Sequence, residues 1–363
     1  MFKYIALSIL LLSPSLSHAQ ERADTLTMLF LGDIMQHTAQ LESAYNGSGE
    51  RRDPDSYSYS CYFKYLSPHF NRADIVAANM ETTFGPAPYS GYPVFCSPAT
   101  LAVDAVKSGI NLLFAANNHS ADKRSAGLEG SIGLYRRLRQ EYPGTNYTGI
   151  YSDSTDEEQM HPLIVKKKGF SIAFLNYTYG TNGIPVSQPY IVKMLDSAII
   201  KRDMERARML NPDFTIISVH WGDEYKLTPS IFQKRWERLF YRLGADIIIG
   251  AHPHVPQDVV SYYDSEGSIK NITAYSLGNA ISNMTAQNTR IGIMLEISIT
   301  KDSLNFKKIE PPVNHYIWTS RPAATGGFFT IIPVKDYLKN PANYNIKGED
   351  ELIKRYYRSF SRE

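Results

Sequence analysis

Residues 246–257 read DIIIGAHPHVPQ. Three consecutive isoleucines form the short, continuous apolar run expected of a strand buried on both faces. Gly250 ends the run, and His252 and His254 follow, separated by one proline. Pro253 excludes helix and biases the residue before it toward extended backbone, so the two imidazoles are expected to project to one side. Gly250 and Ala251 are expected to leave room for an ion or ligand to approach the backbone. Read alone, the stretch is equally a proline-rich turn bearing two surface histidines.

Similar apolar runs recur along the chain: TLTMLFLGD from Thr25, ADIVAANME from Ala73, INLLFAANNH from Ile110, FSIAFLNYTYG from Phe170, FTIISVHWG from Phe214 and NITAYSLGN from Asn271. Between them lie stretches with helical spacing, including Leu128, Ile132, Tyr135 and Leu138 in 125–142, and the segments 197–210 and 230–244. Strands alternating with helices predict an α/β sheet. Residues 42–60 read as a polar excursion, and the acidic run from Tyr151 reads as an exposed loop. After the main domain, placed at 24–300, the segment 301–363 is expected to supply closing strands and a tail that is helical from about Glu349.

The polar residues that end these runs form a set. Asp33, Glu81, Asn118 with His119, His220, and His252 with His254 all fall at carboxyl ends of predicted strands. In open α/β sheets those ends converge on the ligand crevice. Carboxylate and amide oxygens together with imidazole nitrogens suit Mn²⁺, Fe or Zn²⁺. His119 reads either as a ligand or general acid, or as part of a helix cap, and Asp122 as a capping or supporting group. Glu224 reads as an acid/base or substrate contact, or as a solvated loop carboxylate. Asp33 alone could be an Asx turn, and Glu81 a helix-start acid. In YSLGN, Gly278 and Asn279 suit turn geometry, with a polar contact from Asn279 into the cleft as the other role.

The first nineteen residues read as a secretory signal peptide: Lys3, an apolar stretch through Leu12, and a small-residue cleavage site near Ala19. Export to the periplasm or the extracellular space follows. No Cys marks that site for lipidation, and no later stretch approaches the length of a membrane span. The formal net charge of the whole chain is only +2, which excludes a broad electrostatic platform for nucleic acid. Cys61 and Cys96 are the sole cysteines, and either a disulfide or two separate thiols satisfies the sequence.

The ordered motifs GDIM at 32–35, NME at 79–81, NNHSAD at 117–122, HWGDEY at 220–225, GAHPHVPQ at 250–257 and YSLGN at 275–279 resemble those of the capsule-synthesis CapA family, of the poly-γ-glutamate synthesis type. The resemblance implies a metallophosphatase-like multilayer α/β fold, with central β-sheets flanked by helices. It implies Asp33, Asn118, His220, His252 and His254 as ligands of one or two divalent metal ions, Glu81 as a bridging carboxylate, and His119 as the group assisting departure of the leaving group. Three positions depart from the pattern. Met35 stands where a phosphoesterase histidine is expected, with His37 nearby but out of register. Arg124 replaces a glycine, either to clamp an acidic substrate group or to shape the helix start. Ala280 replaces an aromatic residue.

Two functions compete on these residues. One is a metal-dependent hydrolase or transferase acting on amide or phosphoester bonds of an anionic polymer, such as poly-γ-glutamate or a wall glycopolymer. The other is a non-catalytic module that binds or assembles such a polymer, since fold alone does not establish activity. Membrane proteins of capsule assembly are the protein partners the resemblance implies.

Overall fold

A computed structural model describes residues 24–361, so the proposed signal peptide lies outside the described residues. The first half of the sheet is built from β1 (Asp24–Ile34), β2 (Ile75–Met80), β3 (Leu112–Phe114) and β4 (Asn146–Thr148), all mutually parallel. β5 (Ile150–Tyr151) leaves the sheet. β6 (Leu163–Lys167) and β7 (Phe170–Thr178) form an antiparallel pair, and β8 (Ile191–Val192) pairs with β5. The second half continues through β9 (Phe214–His220), β10 (Ile247–Ala251), β11 (Val259–Tyr263) and β12 (Ile269–Ala274). Within it β7, β9, β10 and β12 run parallel. β13 (Asn279–Ile281) then returns to β1, and β14 (Ile291–Lys301) runs antiparallel to it. β15 (Lys307–Ile309) joins the halves by bonding both β14 and β12, while β16 (Val313–Ser320) and β17 (Thr330–Pro333) extend the sheet from β14.

Alternation along the strands shows how this continuous ladder packs. Met28 and Phe30, Ile75 and Ala77, and Leu112 and Phe114 point into one core with Ile172 and Phe174, Ile216, Ile247 and Ile249, and Ile272. The intervening residues Leu29, Val76 and Leu113 face a second core with the helices of the first half. Ala173, Leu175, Ile217 and Ile248 face a third, lined by Ile200, Met204 and Phe240 from the helices Ser197–Met209 and Ile231–Arg242. The two half-sheets therefore stack face to face, with Phe114 and Phe174 rings 6.4 Å apart across the seam. Helices cover both outer faces, which gives the multilayer α/β arrangement expected from the sequence.

The helices expected at 125–142, 197–210 and 230–244 form at Arg124–Glu141, Ser197–Met209 and Ile231–Arg242. Two expectations change, and the cysteines take one of their two open alternatives. The excursion at 42–60 is not merely polar: Tyr57 and Tyr59 are buried in the first-half core, where their rings offset the cost of the surrounding loop. The acidic loop is a helix, Ser154–Met160, started by the Asp153 carboxylate accepting the Asp156 amide at 2.9 Å. Cys61 and Cys96 are both free thiols. β16 pairs with β14, and the C-terminal helix Asp350–Ser361 packs its Ile353, Tyr356 and Phe360 against the same layer.

A polar network lies within the second half. His161 donates or accepts at 3.1 Å from Asp203, and Lys193 sits 2.7 Å from the same carboxylate oxygen. Burial holds the His161 imidazole below its ordinary value near 6.5, and Lys193 already neutralises the partner that would raise it. A depressed histidine pKa contributes stability that is complete above about 6.5 and is lost as pH falls. Denaturant titrations at pH 7 and pH 5.5 should therefore show wild type losing about 1 kcal/mol more than His161→Gln over that interval. Equal losses in the two proteins would refute the assignment.

Candidate functional site

The carboxyl ends of β1, β2, β9 and β10 meet at one edge. At Gly32 a side chain would place its Cβ 1.8 Å from the Gly278 carbonyl oxygen, so only glycine allows β1 and β13 to close here. Asp33 is thereby set opposite both Asn79 and Asn279. Its Oδ1 accepts the Asn79 side-chain amide at 2.7 Å. Its Oδ2 accepts the His252 backbone N–H at 3.3 Å and faces His254 Nδ1 at 3.2 Å.

The HPH segment is not extended. His252 has φ +96° and His254 φ +60°, both in the left-handed region that side-chain-bearing residues seldom occupy. The cause is tertiary: the His252 amide is drawn to Asp33, and the Tyr225 amide donates to the Pro253 carbonyl at 2.9 Å. Such strain persists only where surrounding bonds over-determine it. Gly250 also plays a different part from the one expected. A Cβ there would lie 2.0 Å from the Tyr275 carbonyl oxygen and 2.6 Å from the Trp221 indole nitrogen, so the missing side chain admits a neighbouring strand rather than an ion.

Around Asp33 the donor atoms converge. His220 Nε2 is 2.8 Å from Asn118 Oδ1 and 3.4 Å from Glu81 Oε1, and Asn79 holds its Nδ1 at 3.2 Å. Asn279 Oδ1 is 3.0 Å from His254 Nδ1, and its amide nitrogen donates to Ser282 Oγ and the Thr289 carbonyl. Its polar atoms are thus committed inside the protein. Asn279 orients His254 rather than reaching the cleft as a substrate contact. Burial, and then Asp33 beside it, push the Glu81 carboxyl well above the usual range. Burial holds His220 and His252 well below theirs, whereas the Asp33 bond raises His254 against burial.

A bound cation fits this donor set. Both Glu81 oxygens and His252 Nδ1 are buried without a hydrogen-bond partner, a costly arrangement for polar atoms, and the imidazoles of His220 and His254 stand 3.4 and 3.8 Å from the carboxylate. Ligand atoms of Glu81, His220 and His252 lie within 4.8 Å of one another, as do those of Asp33, Glu81 and His254. Glu81 belongs to both groups. Glu224 forms a third group with His252 and His254, but it is exposed at the mouth. Met35 is buried and supplies no nitrogen, and His37, whose pKa burial lowers to about 4, joins none of the three groups.

Beside the cluster, His119 Nδ1 is 2.7 Å from Asp122 Oδ2, which also accepts the Phe95 amide at 2.6 Å. The Phe95 ring stands edge-on to the imidazole at 4.5 Å. Asp122 therefore fixes the Nδ1–H tautomer and leaves Nε2 to exchange protons. Asn118 and His119 sit in the turn before the helix Arg124–Glu141, whose local bonds come instead from Asn117 and Ser120. Arg124 is exposed with φ +53°, so the glycine expected there answers a left-handed backbone; among the described residues no ion pair or side-chain hydrogen bond ties Arg124 to the cluster.

Sequence reasoning did not assign Asn79 or Tyr179. Asn79 lies in the quoted NME motif and bonds both Asp33 and His220. Tyr179 follows β7, and its ring lies 4.6 Å from that of His252. Its signal was its place at a strand end beside His220.

Comparison with known proteins now bears on this geometry. The capsule biosynthesis protein CapA of Bacillus anthracis is 27% identical over 266 residues, covering 71% of this chain and 60% of that protein. The chain thus spans less than two thirds of that relative's length. The PGA biosynthesis protein CapA of Bacillus subtilis is 25% identical over 305 residues, covering 79% of this chain and 71% of that protein. Among solved structures, the NAD nucleotidase of Haemophilus influenzae aligns with a TM-score of 0.49 at 10% identity, covering 93% of this chain and 67% of that one. A 5'-nucleotidase of Staphylococcus aureus aligns at 0.48 and 10% identity, covering 93% and 58%. The fold assignment rests on the layers described above and not on these scores. A sequence model described as "Bacterial capsule synthesis protein PGA_cap" matches residues 27–284, which contain every candidate ligand, and the chain belongs to that family.

Proposed function

We propose that this protein is an exported, metal-dependent hydrolase or transferase of capsule biosynthesis, acting on phosphoester or amide bonds of an anionic polymer such as poly-γ-glutamate or a wall glycopolymer. The observation that carries the reading is the pair of unpartnered Glu81 oxygens at the centre of a buried histidine cluster. The names of the Bacillus relatives support the capsule context. Asp33, Glu81, Asn118, His220, His252 and His254 would hold one or two divalent ions, Mn, Fe or Zn. A metal in such a site polarises the scissile group and lowers the pKa of water.

The chain's own groups do the rest. Asn79 and Asn279 hold Asp33, His220 and His254 in place. His119, its tautomer set by Asp122, delivers a proton from Nε2 to the leaving group. Glu224 and Arg124 stand on the solvent side, where contacts to polymer form. Membrane proteins of capsule assembly are natural partners for this role.

The test is hydrolysis by metal-loaded protein of bis(p-nitrophenyl) phosphate and of poly-γ-glutamate, with His119→Gln alongside. Wild type should turn over one of these, and His119→Gln should lose about 10²–10⁴-fold in kcat with its metal content unchanged. Metal-loaded wild type that binds polymer but cleaves neither substrate would favour the second reading, a polymer-binding module. The observation on that side is Met35, which leaves the Asp33 group with a single histidine.

A further inference from the structure

We infer that Tyr179 is a ligand-contacting residue of this site, its hydroxyl donating to an oxyanion oxygen of a bound phosphate or phosphoester. The inference rests on the metal-site reading and adds a group outside the candidate ligand set.

Position comes first. Thr178 is paired with His220 across β7 and β9, and the Tyr179 amide donates to the His220 carbonyl at 3.0 Å. The ladder therefore fixes the Cα of Tyr179 over the cluster. Its ring is nearly parallel to the His220 imidazole, at 10° and 6.3 Å, and lies 4.6 Å from that of His252. His220 and His252 are 1% and 4% exposed, whereas Tyr179 is 40% exposed. One face of the ring thus seals the imidazoles from water while the other borders the cleft.

The hydroxyl has a matching asymmetry. The Asn118 side-chain amide lies nearby, its nitrogen donating to Asn182 Oδ1 at 3.2 Å. That amide can only donate, because its oxygen faces His220 at 2.8 Å. Toward that nitrogen the phenol oxygen can act only as acceptor, so its own proton is available to an acceptor on the cleft side. Near a cationic centre the acceptor that fits is an anionic oxygen, and a neutral donor fixed before binding stabilises it without reorganisation. Aromatic rings with one wet end are suited to this double duty.

The probe is inorganic phosphate, titrated calorimetrically into Mn²⁺-loaded wild type, Tyr179→Phe and Tyr179→Ala, with metal content measured in each. Tyr179→Phe should keep full metal content and lose about 10-fold in phosphate affinity, as expected for one hydrogen bond to a charged group. Tyr179→Ala should lose phosphate affinity and also bind metal less tightly, since the histidines lose their cover. Unchanged phosphate affinity in Tyr179→Phe, or metal-loaded wild type that binds no phosphate, overturns the assignment. Wild type that takes up no divalent metal overturns the reading of the site, and this inference with it.

Discussion

Replacing His252 and His254 together by alanine should strip the protein of its divalent metal while leaving it folded. Of the two buried groups of converging ligands, one holds His252 with Glu81 and His220 and the other His254 with Asp33 and Glu81, and both imidazoles also belong to the group that Glu224 completes. Losing both leaves His220 as the remaining nitrogen of these two groups. Removal of groups that merely support a metal ligand costs about 10–100-fold in affinity, so loss of two ligands should exceed that range. The fold should survive, because the His252 contact to Asp33 is made by its backbone amide, which alanine retains. The His254 contacts to Asp33 and Asn279 are lost at a cost of about 1–3 kcal/mol, the penalty for leaving the buried Asn279 Oδ1 without that partner. Metal analysis after dialysis gives the answer: stoichiometric metal in wild type and none in the double variant. Equal metal in both proteins would show that the cluster is not the metal site.

What the sequence could reveal follows from which forces act locally. The ends of β1, β9 and β10 were legible because apolar runs stop abruptly at Asp33, His220 and Gly250, and such breaks do not depend on neighbours. The conformation of the HPH segment was not. Pro253 favours extended backbone before it, yet long-range bonds from Asp33 and Tyr225 outweigh that local preference. Gly250 shows a related limit: room for an ion and room for a neighbouring strand look identical until the Tyr275 carbonyl is placed. Asn79 and Tyr179 lie within or just after apolar runs, so nothing in the pattern distinguishes them from strand residues. The helix Ser154–Met160 buries none of its residues and has no apolar stripe to detect, although the Asp153 cap was a readable start signal. Tertiary context decided each of these, and it is absent from a one-dimensional pattern.

Glu81→Gln should have opposite effects with and without metal. Glu81 is fully buried, neither of its oxygens has a hydrogen-bond partner, and Asp33 lies beside it. A carboxyl so placed is either ionised without a hydrogen bond, beside Asp33 and 3.8 Å from His254, or forced to hold a proton, and both options cost stability. Glutamine keeps the shape, carries no charge and can donate to Asp33. Metal-free Glu81→Gln should therefore unfold at higher denaturant than metal-free wild type, with a gain of about 1–3 kcal/mol. Adding metal should reverse the order. Wild type gains about 2.7 kcal/mol when free metal is a hundredfold above its dissociation constant. The variant has lost the carboxylate shared by two ligand groups and should gain far less. Parallel denaturation curves with and without chelator measure all four states. A variant less stable than wild type under chelation would mean that the Glu81 oxygens are satisfied in the metal-free protein. An equal metal-induced rise in both proteins would mean that Glu81 is not a ligand. Because the two outcomes fall in different arms, the unpaired carboxylate and its role as a ligand are judged separately.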